Sequence, residues 1–344
     1  MEGKKTTRTV FYYGKQDVRV EELAIPTIGS REVLVQTKAC GLCGGETMDW
    51  YHSLPKILGH EPTGVIVETG SEVADYKPGD RVFVHHHAPC MSCHFCRRGS
   101  YTLCEQYKQN CLDPGGMTEY FRVAEPSLRY DTHKLPDSVS FEAGTLIEPI
   151  ACNLKGIRSL GIQPGDTIAV VGTGFMGMSY IELLSMSQAG KIVALDFNNW
   201  RLERAMQMGA THTINPKNEN PGEVLREITN GRLADGVVLT APITDAWLDA
   251  LRLVEKGGTF QAAAPIPPDN PVSVDVNDLY FREITLNSTF SASHRDTAAV
   301  LELLVSGRIK VDSLITHRFS FDEVQKALDL LIEADKSMKC VVVP

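Results

Sequence analysis

The chain has 344 residues, 43% hydrophobic and 22% charged, the balance of a soluble globular protein with more than one domain. A net charge of −9 and the absence of any long Lys or Arg run argue against nucleic acid or an anionic membrane surface as partner. No apolar run approaches the roughly 20 residues that span a bilayer, and Met1-Glu2-Gly3-Lys4-Lys5 leads into no apolar segment, so a cytoplasmic protein without a signal peptide is expected.

Residues 1–150 read as β-rich, with predicted strands at 8–13, 18–23, 32–40, 63–68 and 81–85 punctuated by Gly29, Gly70 and Lys77-Pro78-Gly79-Asp80. From 151 to 288 strands alternate with helices. Strands are predicted at 167–171, 191–195, 211–214, 236–239 and 259–263, and helices at 178–188, 200–208, 222–229 and 244–254. That alternation predicts an α/β fold with a parallel sheet covered on both faces. Residues 289–344 carry predicted helices at 295–306 and 322–334 and a last strand at 339–343.

Residues 167–177, TIAVVGTGFMG, hold the most informative pattern. A β-branched strand runs into Gly172-Thr173-Gly174-Phe175-Met176-Gly177 and then a helical run, the order of a dinucleotide-binding turn. Gly172 permits the tight turn, Gly174 close approach to a pyrophosphate, and Gly177 close packing of helix on strand. The helix N-terminus offers N–H groups to the phosphates. The second strand ends in Asp196, nineteen residues after Gly177, where a carboxylate accepts from the adenosine ribose and repels a 2′-phosphate. The expected cofactor is NAD rather than NADP.

Nine cysteines are many for a reducing compartment and point to metal. Cys90, Cys93, Cys96 and Cys104 have the spacing C-x2-C-x2-C-x7-C, which suits a closed, structural tetrahedral zinc site. The His85-His86-His87 triplet invites a metal reading too, but reads better as a strand end, where pleating would send neighbouring side chains to opposite faces. Three further segments stand out: Cys40-Gly41-Leu42-Cys43-Gly44-Gly45-Glu46, Gly59-His60-Glu61-Pro62 and Glu148-Pro149.

Together with Gly79-Asp80-Arg81-Val82, the clustered cysteines, the glycine turn and Asp196, these segments span the chain. On them the chain resembles the zinc-dependent medium-chain alcohol/polyol dehydrogenases, closest to the sorbitol (iditol) and threonine dehydrogenase branch. The resemblance implies a GroES-like β-rich catalytic domain over 1–150, with a structural-zinc lobe at about 88–106. A doubly wound Rossmann NAD-binding domain over 151–288 would follow, and 289–344 would return to the first domain. It also implies a homodimer or homotetramer, two Zn2+ per chain and NAD.

Carried over residue by residue, the resemblance makes Cys43, His60, Glu61 and Glu148 the catalytic-zinc residues, with Cys152 a substitute for Glu148. It sets Arg201 against the adenosine end and Lys339 near the pyrophosphate. Phe290, Ser291 and His294 would lie on the nicotinamide side. Trp50, Tyr51, His52 and Tyr120 are candidate substrate walls. Zinc would polarise the oxygen of a secondary alcohol of the polyol, cyclitol or amino-alcohol class.

Two positions depart from the family. Gly45 and Met48 stand where a proton relay has Ser or Thr and His, and neither can pass a proton. The proton would leave through water, helped by Glu61 or Glu148, or through Thr47, Asp49 or His52. The other readings are a zinc-free quinone/enone reductase on the same scaffold and a nonenzymatic NAD-binding protein with a structural zinc.

Overall fold

A computed structural model describes residues 5–50 and 53–344. In chain order its strands are β1 (Thr6–Gly14), β2 (Asp17–Ala24), β3 (Val33–Leu42), β4 (Lys56–Ile57), β5 (Glu61–Thr69) and β6 (Arg81–Val84). The short strands β7 (Leu112–Asp113), β8 (Tyr120–Val123) and β9 (Thr132–Lys134) follow. Next come β10 (Thr167–Val171), β11 (Lys191–Leu195), β12 (His212–Ile214), β13 (Ala234–Leu239), β14 (Val254–Ala262) and β15 (Thr285–Ser288). The last are β16 (Ile315–Ser320) and β17 (Lys339–Val343). The chain divides into two compact units, residues 1–151 with 291–344, and residues 152–290.

In the first unit β3 is the hub. It pairs antiparallel with β5 along one edge. Along the other, its first half pairs with β8 and its last residues with β17. The sheet order is β16-β17-β3-β5-β6-β9, and β2-β1-β4 forms a smaller sheet. β3 reads VLVQTKACGL and is buried on nearly every residue, because layers cover both of its faces. Val33, Val35, Ile66, Val82 and Phe121 fill one core, and Cys40, Leu42, Phe321, Val324, Leu328 and Val342 another. The register aligns Gly41 with Glu61 on one side and with Val341 on the other, so the C-terminal strand runs beside the metal-ligand candidates.

In the second unit all six strands are parallel, in the order β12-β11-β10-β13-β14-β15. The order steps outward in opposite directions on either side of β10, as in a doubly wound sheet. The helix after the glycine turn spans Phe175–Ser185, three residues earlier than its periodicity predicts, because Gly174 is already the extended N-cap. The helix predicted over 244–254 stops at Leu251, and Val254 opens β14.

Among the described residues no helix is long and apolar enough to cross a membrane.

Candidate metal centres and cofactor turn

Four thiols converge in the lobe around the short helix His94–Arg97. The Sγ atoms of Cys93 and Cys96 are 3.5 Å apart, and those of Cys90 and Cys96 3.9 Å. A disulfide would need about 2.05 Å. A tetrahedron with Zn–S near 2.3 Å gives about 3.8 Å between sulfurs. The donor set therefore fits zinc, and no cysteine is in a disulfide. The Ser92 hydroxyl and the backbone N–H groups of Ser92 and Cys93 pull the Cys90 thiol down to about 6, towards the thiolate a metal requires.

A second cluster gathers Cys43, His60 and Glu61, with one ligand atom from each lying within 4.8 Å of the others. The end of β3 delivers Cys43, and the start of β5 delivers Glu61. Cys43 caps the turn Gly44–Thr47, its sulfur accepting from Gly45 N at 3.4 Å. Glu46 in that turn is 4% exposed, and its Oε1 accepts from Gly59 N at 2.6 Å and lies 3.2 Å from His60 Nδ1. With the Nδ1 proton engaged there, the lone pair of Nε2 is left for a metal. Burial alone would raise Glu46, but the His60 contact and the Gly59 N–H more than offset it and hold the carboxylate below its ordinary range. Burial likewise opposes a proton on His60, yet Cys43 and Glu46 lift the imidazole well above its ordinary range. A divalent ion here competes with that proton.

Glu61 is fully buried, and its Oε1 accepts from Lys339 Nζ at 2.7 Å. Burial pushes the Glu61 carboxyl up, against the pull of Lys339 and His60 and with the added repulsion of Glu148. Burial also opposes the Lys339 charge, but Glu61 and Cys43 outweigh it. A Cβ on Gly41 would come within 1.9 Å of Glu61 Oε2 and 2.9 Å of Lys339 Cε, so only glycine leaves room for the pair. Lys339, expected near a pyrophosphate, thus has its ammonium against Glu61.

Glu148 groups with His85 and His86, again with ligand atoms within 4.8 Å of one another, and not with Cys43, His60 and Glu61. The two clusters adjoin, for the rings of His60 and His86 are centred 5.0 Å apart. The His triplet does follow a strand end, but the expected alternation of its side chains fails. Strand β6 stops at Val84 and the chain bends at His86, so pleat alternation does not separate the rings. Cys152 lies one turn after Glu148 on the helix Ile147–Leu160 and belongs to none of the three clusters.

The remaining positions sort as follows. The Thr47 hydroxyl donates to Gly44 O at 2.8 Å, and Asp49 accepts from the Tyr12 hydroxyl at 2.8 Å. Lys56, which sequence reasoning passed over, donates to Glu46 O at 2.8 Å. Tyr120 sits on β8 beside Gln36, five residues before Gly41 and about 17 Å along β3, too far to wall the site. Ser291 meets the Tyr107 hydroxyl, and the His294 ring stacks edge-on to Tyr101. Trp50 is exposed, as is Phe290, whereas Tyr51 and His52 lie outside the described residues.

In the second unit Gly172 has φ +90°, and a Cβ on Gly177 would fall 1.9 Å from Gly172 O. Both glycines are therefore required by the turn. Asp196 Oδ2 accepts from Thr173 N at 2.8 Å and Thr173 Oγ1 at 3.0 Å, and its Oδ1 accepts from Asn198 N. The carboxylate fixes the turn and keeps lone-pair capacity beyond these bonds. Arg201 Nη1 lies 3.9 Å from Asp196 Oδ2 and 3.8 Å from where a Gly174 Cβ would stand, so a cation overhangs the turn.

Residues 29–137 match the alcohol dehydrogenase GroES-like domain, and residues 176–306 the zinc-binding dehydrogenase family. The sorbitol dehydrogenase of Bacillus subtilis strain 168 is 31% identical over 343 residues, covering 96% of each chain. The alcohol dehydrogenase TADH of Thermus sp. ATN1 superposes with a TM-score of 0.86 at 29% identity, over 98% of this chain and 99% of that one. A Sinorhizobium meliloti protein described as a zinc-binding dehydrogenase and bound to NADP gives a TM-score of 0.86 at 26% identity, over 99% and 100%. The chain belongs to the zinc-dependent medium-chain alcohol/polyol dehydrogenases.

Proposed function

We propose that the protein transfers a hydride between a secondary alcohol and NAD, the alcohol being a polyol, cyclitol or amino alcohol. The observation that carries this is the Cys43–His60–Glu61 cluster in a chain that also has the Gly172–Gly177 turn. A zinc ion held by Cys43, His60 and Glu61, with Glu148 adjoining, supplies a Lewis acid that lowers the pKa of an alcohol.

The protein's own residues do the rest. Glu46 holds the His60 tautomer, and Lys339 balances the Glu61 charge so that the cluster does not carry two uncompensated anions. Phe175 and Met176 offer the first helical N–H groups to a pyrophosphate, with Arg201 overhanging. Asp196 accepts from the ribose and disfavours a 2′-phosphate, hence NAD. Thr47 and Asp49 are bonded to Gly44 and Tyr12, which leaves water, the neighbouring carboxylates and His52 as routes for the alcohol proton. A Cβ at Gly45 would sit 3.6 Å from Cys43 Sγ, ordinary contact, so packing against that sulfur does not by itself demand glycine.

The strand β15, at the edge of its sheet, and the exposed Tyr280 and Phe281 beside it support a homodimer or homotetramer. Nine cysteines without a disulfide support a reducing, cytoplasmic setting.

The test is Cys43→Ala in the full chain, assayed by NADH absorbance with a panel of secondary alcohols and by NAD titration. Turnover should vanish while NAD affinity stays within about twofold, because the turn and the thiolate are separate devices. Turnover surviving in Cys43→Ala would end the metal reading.

A further inference from the structure

We propose that His85, His86 and Glu148 form a second divalent-cation seat, with two imidazoles and one carboxylate, beside the Cys43–His60–Glu61 cluster. The inference goes beyond the proposed dehydrogenase reaction and does not depend on it.

The first ground is orientation. The His85 ring is fully buried, and its Nδ1 bonds Asp131 Oδ2 at 2.6 Å. Asp131 is itself fixed from three sides, since its Oδ1 meets His133 Nε2 at 3.2 Å and the Thr297 hydroxyl, while its backbone carbonyl accepts from His85 N at 3.0 Å. A carboxylate on one ring nitrogen is the arrangement that fixes the tautomer of a metal-binding histidine and presents the other nitrogen as a lone pair.

The second ground is the pair of orphaned nitrogens. His85 Nε2 and His86 Nδ1 are buried polar atoms with no hydrogen-bond partner. A buried polar atom without a partner is costly and uncommon, so two together require an explanation. His85 Nε2 is 3.9 Å from Glu148 Oε1, and one ligand atom from each of the three residues falls within 4.8 Å of the others. Ligands bound at about 2.1 Å in a tetrahedron stand about 3.4 Å apart, so the His85–Glu148 pair must close by about half an ångström and no pair by more than about 1.4 Å. His87 takes no part: its ring lies 3.8 Å from that of His86 and 4.9 Å from that of Tyr107, with Nδ1 turned to Gln109 O.

The third ground is the donor set. Two imidazoles and a carboxylate suit Zn2+, Co2+, Mn2+ or Fe2+ with open positions, whereas the neighbouring cluster contains a thiolate that favours zinc. An ion here would offer a coordination position for a second hydroxyl of a vicinal diol.

The experiment uses the zinc-replete full chain, titrated with Co(II) and followed by visible absorbance and by metal analysis of the dialysed protein. One Co(II) per chain should enter beyond the zinc already bound, without a thiolate charge-transfer band. His86→Ala should weaken that uptake roughly tenfold or more while zinc content stays at the wild-type value. His86→Gln, which keeps a polar side chain of similar length, should do the same and guards against misfolding in the first variant. Wild-type chain that takes up no Co(II), or His86→Ala that takes up as much as wild type, overturns the proposal and leaves His85 as an imidazolium between Asp131 and Glu148. Cys43→Ala separates the two claims. It should lose one zinc yet keep the Co(II) uptake, and if it loses no zinc the dehydrogenase reading fails while this one stands.

Discussion

Glu46→Gln tests the metal cluster most directly, because it preserves shape and removes one charge. In the native chain the ionised Oε1 takes the Gly59 N–H and the His60 Nδ1–H. A hydrogen bond to a charged group contributes about 1.5–3 kcal/mol, against about 1 for a neutral one. Only the bond to His60 acts on the metal, through the basicity and tautomer of the imidazole, so the loss transmitted is the difference, about 0.5–2 kcal/mol. At 1.4 kcal/mol per tenfold, zinc affinity should fall roughly 2- to 30-fold, which overlaps the 10–100-fold range for residues that orient metal ligands. A chromophoric chelator competing for zinc measures this, with the four-cysteine zinc as internal standard and far-ultraviolet circular dichroism as the check on folding. Zinc affinity within about twofold of wild type, in a folded variant, would refute the role of Glu46.

Three other outcomes follow from the same structure. Lys339→Met strips the counter-charge from a fully buried Glu61, and urea unfolding should show a loss of about 3–5 kcal/mol, most of it recovered on adding Glu61→Gln. Gly177→Ala drives a methyl to 1.9 Å from Gly172 O, so isothermal titration should find NAD binding lost while zinc content is unchanged. Tyr76 donates to Thr132 O at 2.7 Å, and burial, then Asp75 and Asp80, push its phenol up to about 12. Since that lies above the unfolded value of about 10, its contribution is full below pH about 10 and drains away as pH climbs through about 12. Tyr76→Phe should therefore flatten the alkaline fall in stability seen by urea titration over that window, and an unchanged slope would exclude the linkage.

Much of the fold was legible because its signals are local. Gly172, Gly174 and Gly177 sit at fixed offsets, the four cysteines fall within fifteen residues, and β10 and β11 are short, almost wholly apolar runs. What escaped depends on tertiary pairing. Glu46 has no evident role until Gly59 and His60 arrive from thirteen and fourteen residues away. The approach of His85 and His86 to Glu148 has no local signature, because the chain bends just past the end of β6. Nothing in the neighbourhood of Lys339 names Glu61, 278 residues earlier. The unit boundary near 151 shows as a change from period two to alternating strand and helix, but the helix Ile147–Leu160, whose first turn carries Glu148, was not recognised through Pro149.

The pairing of β17 with β3 has a consequence for biosynthesis. A nascent chain can gather its four clustered cysteines soon after residue 104 leaves the ribosome, since they need no distant partner. The Glu61–Lys339 pair must wait for residue 339 and for the last strand to zip onto the sheet. One site can thus be assembled from a single short stretch of chain, while the other reaches its final charge balance only when segments 278 residues apart have met.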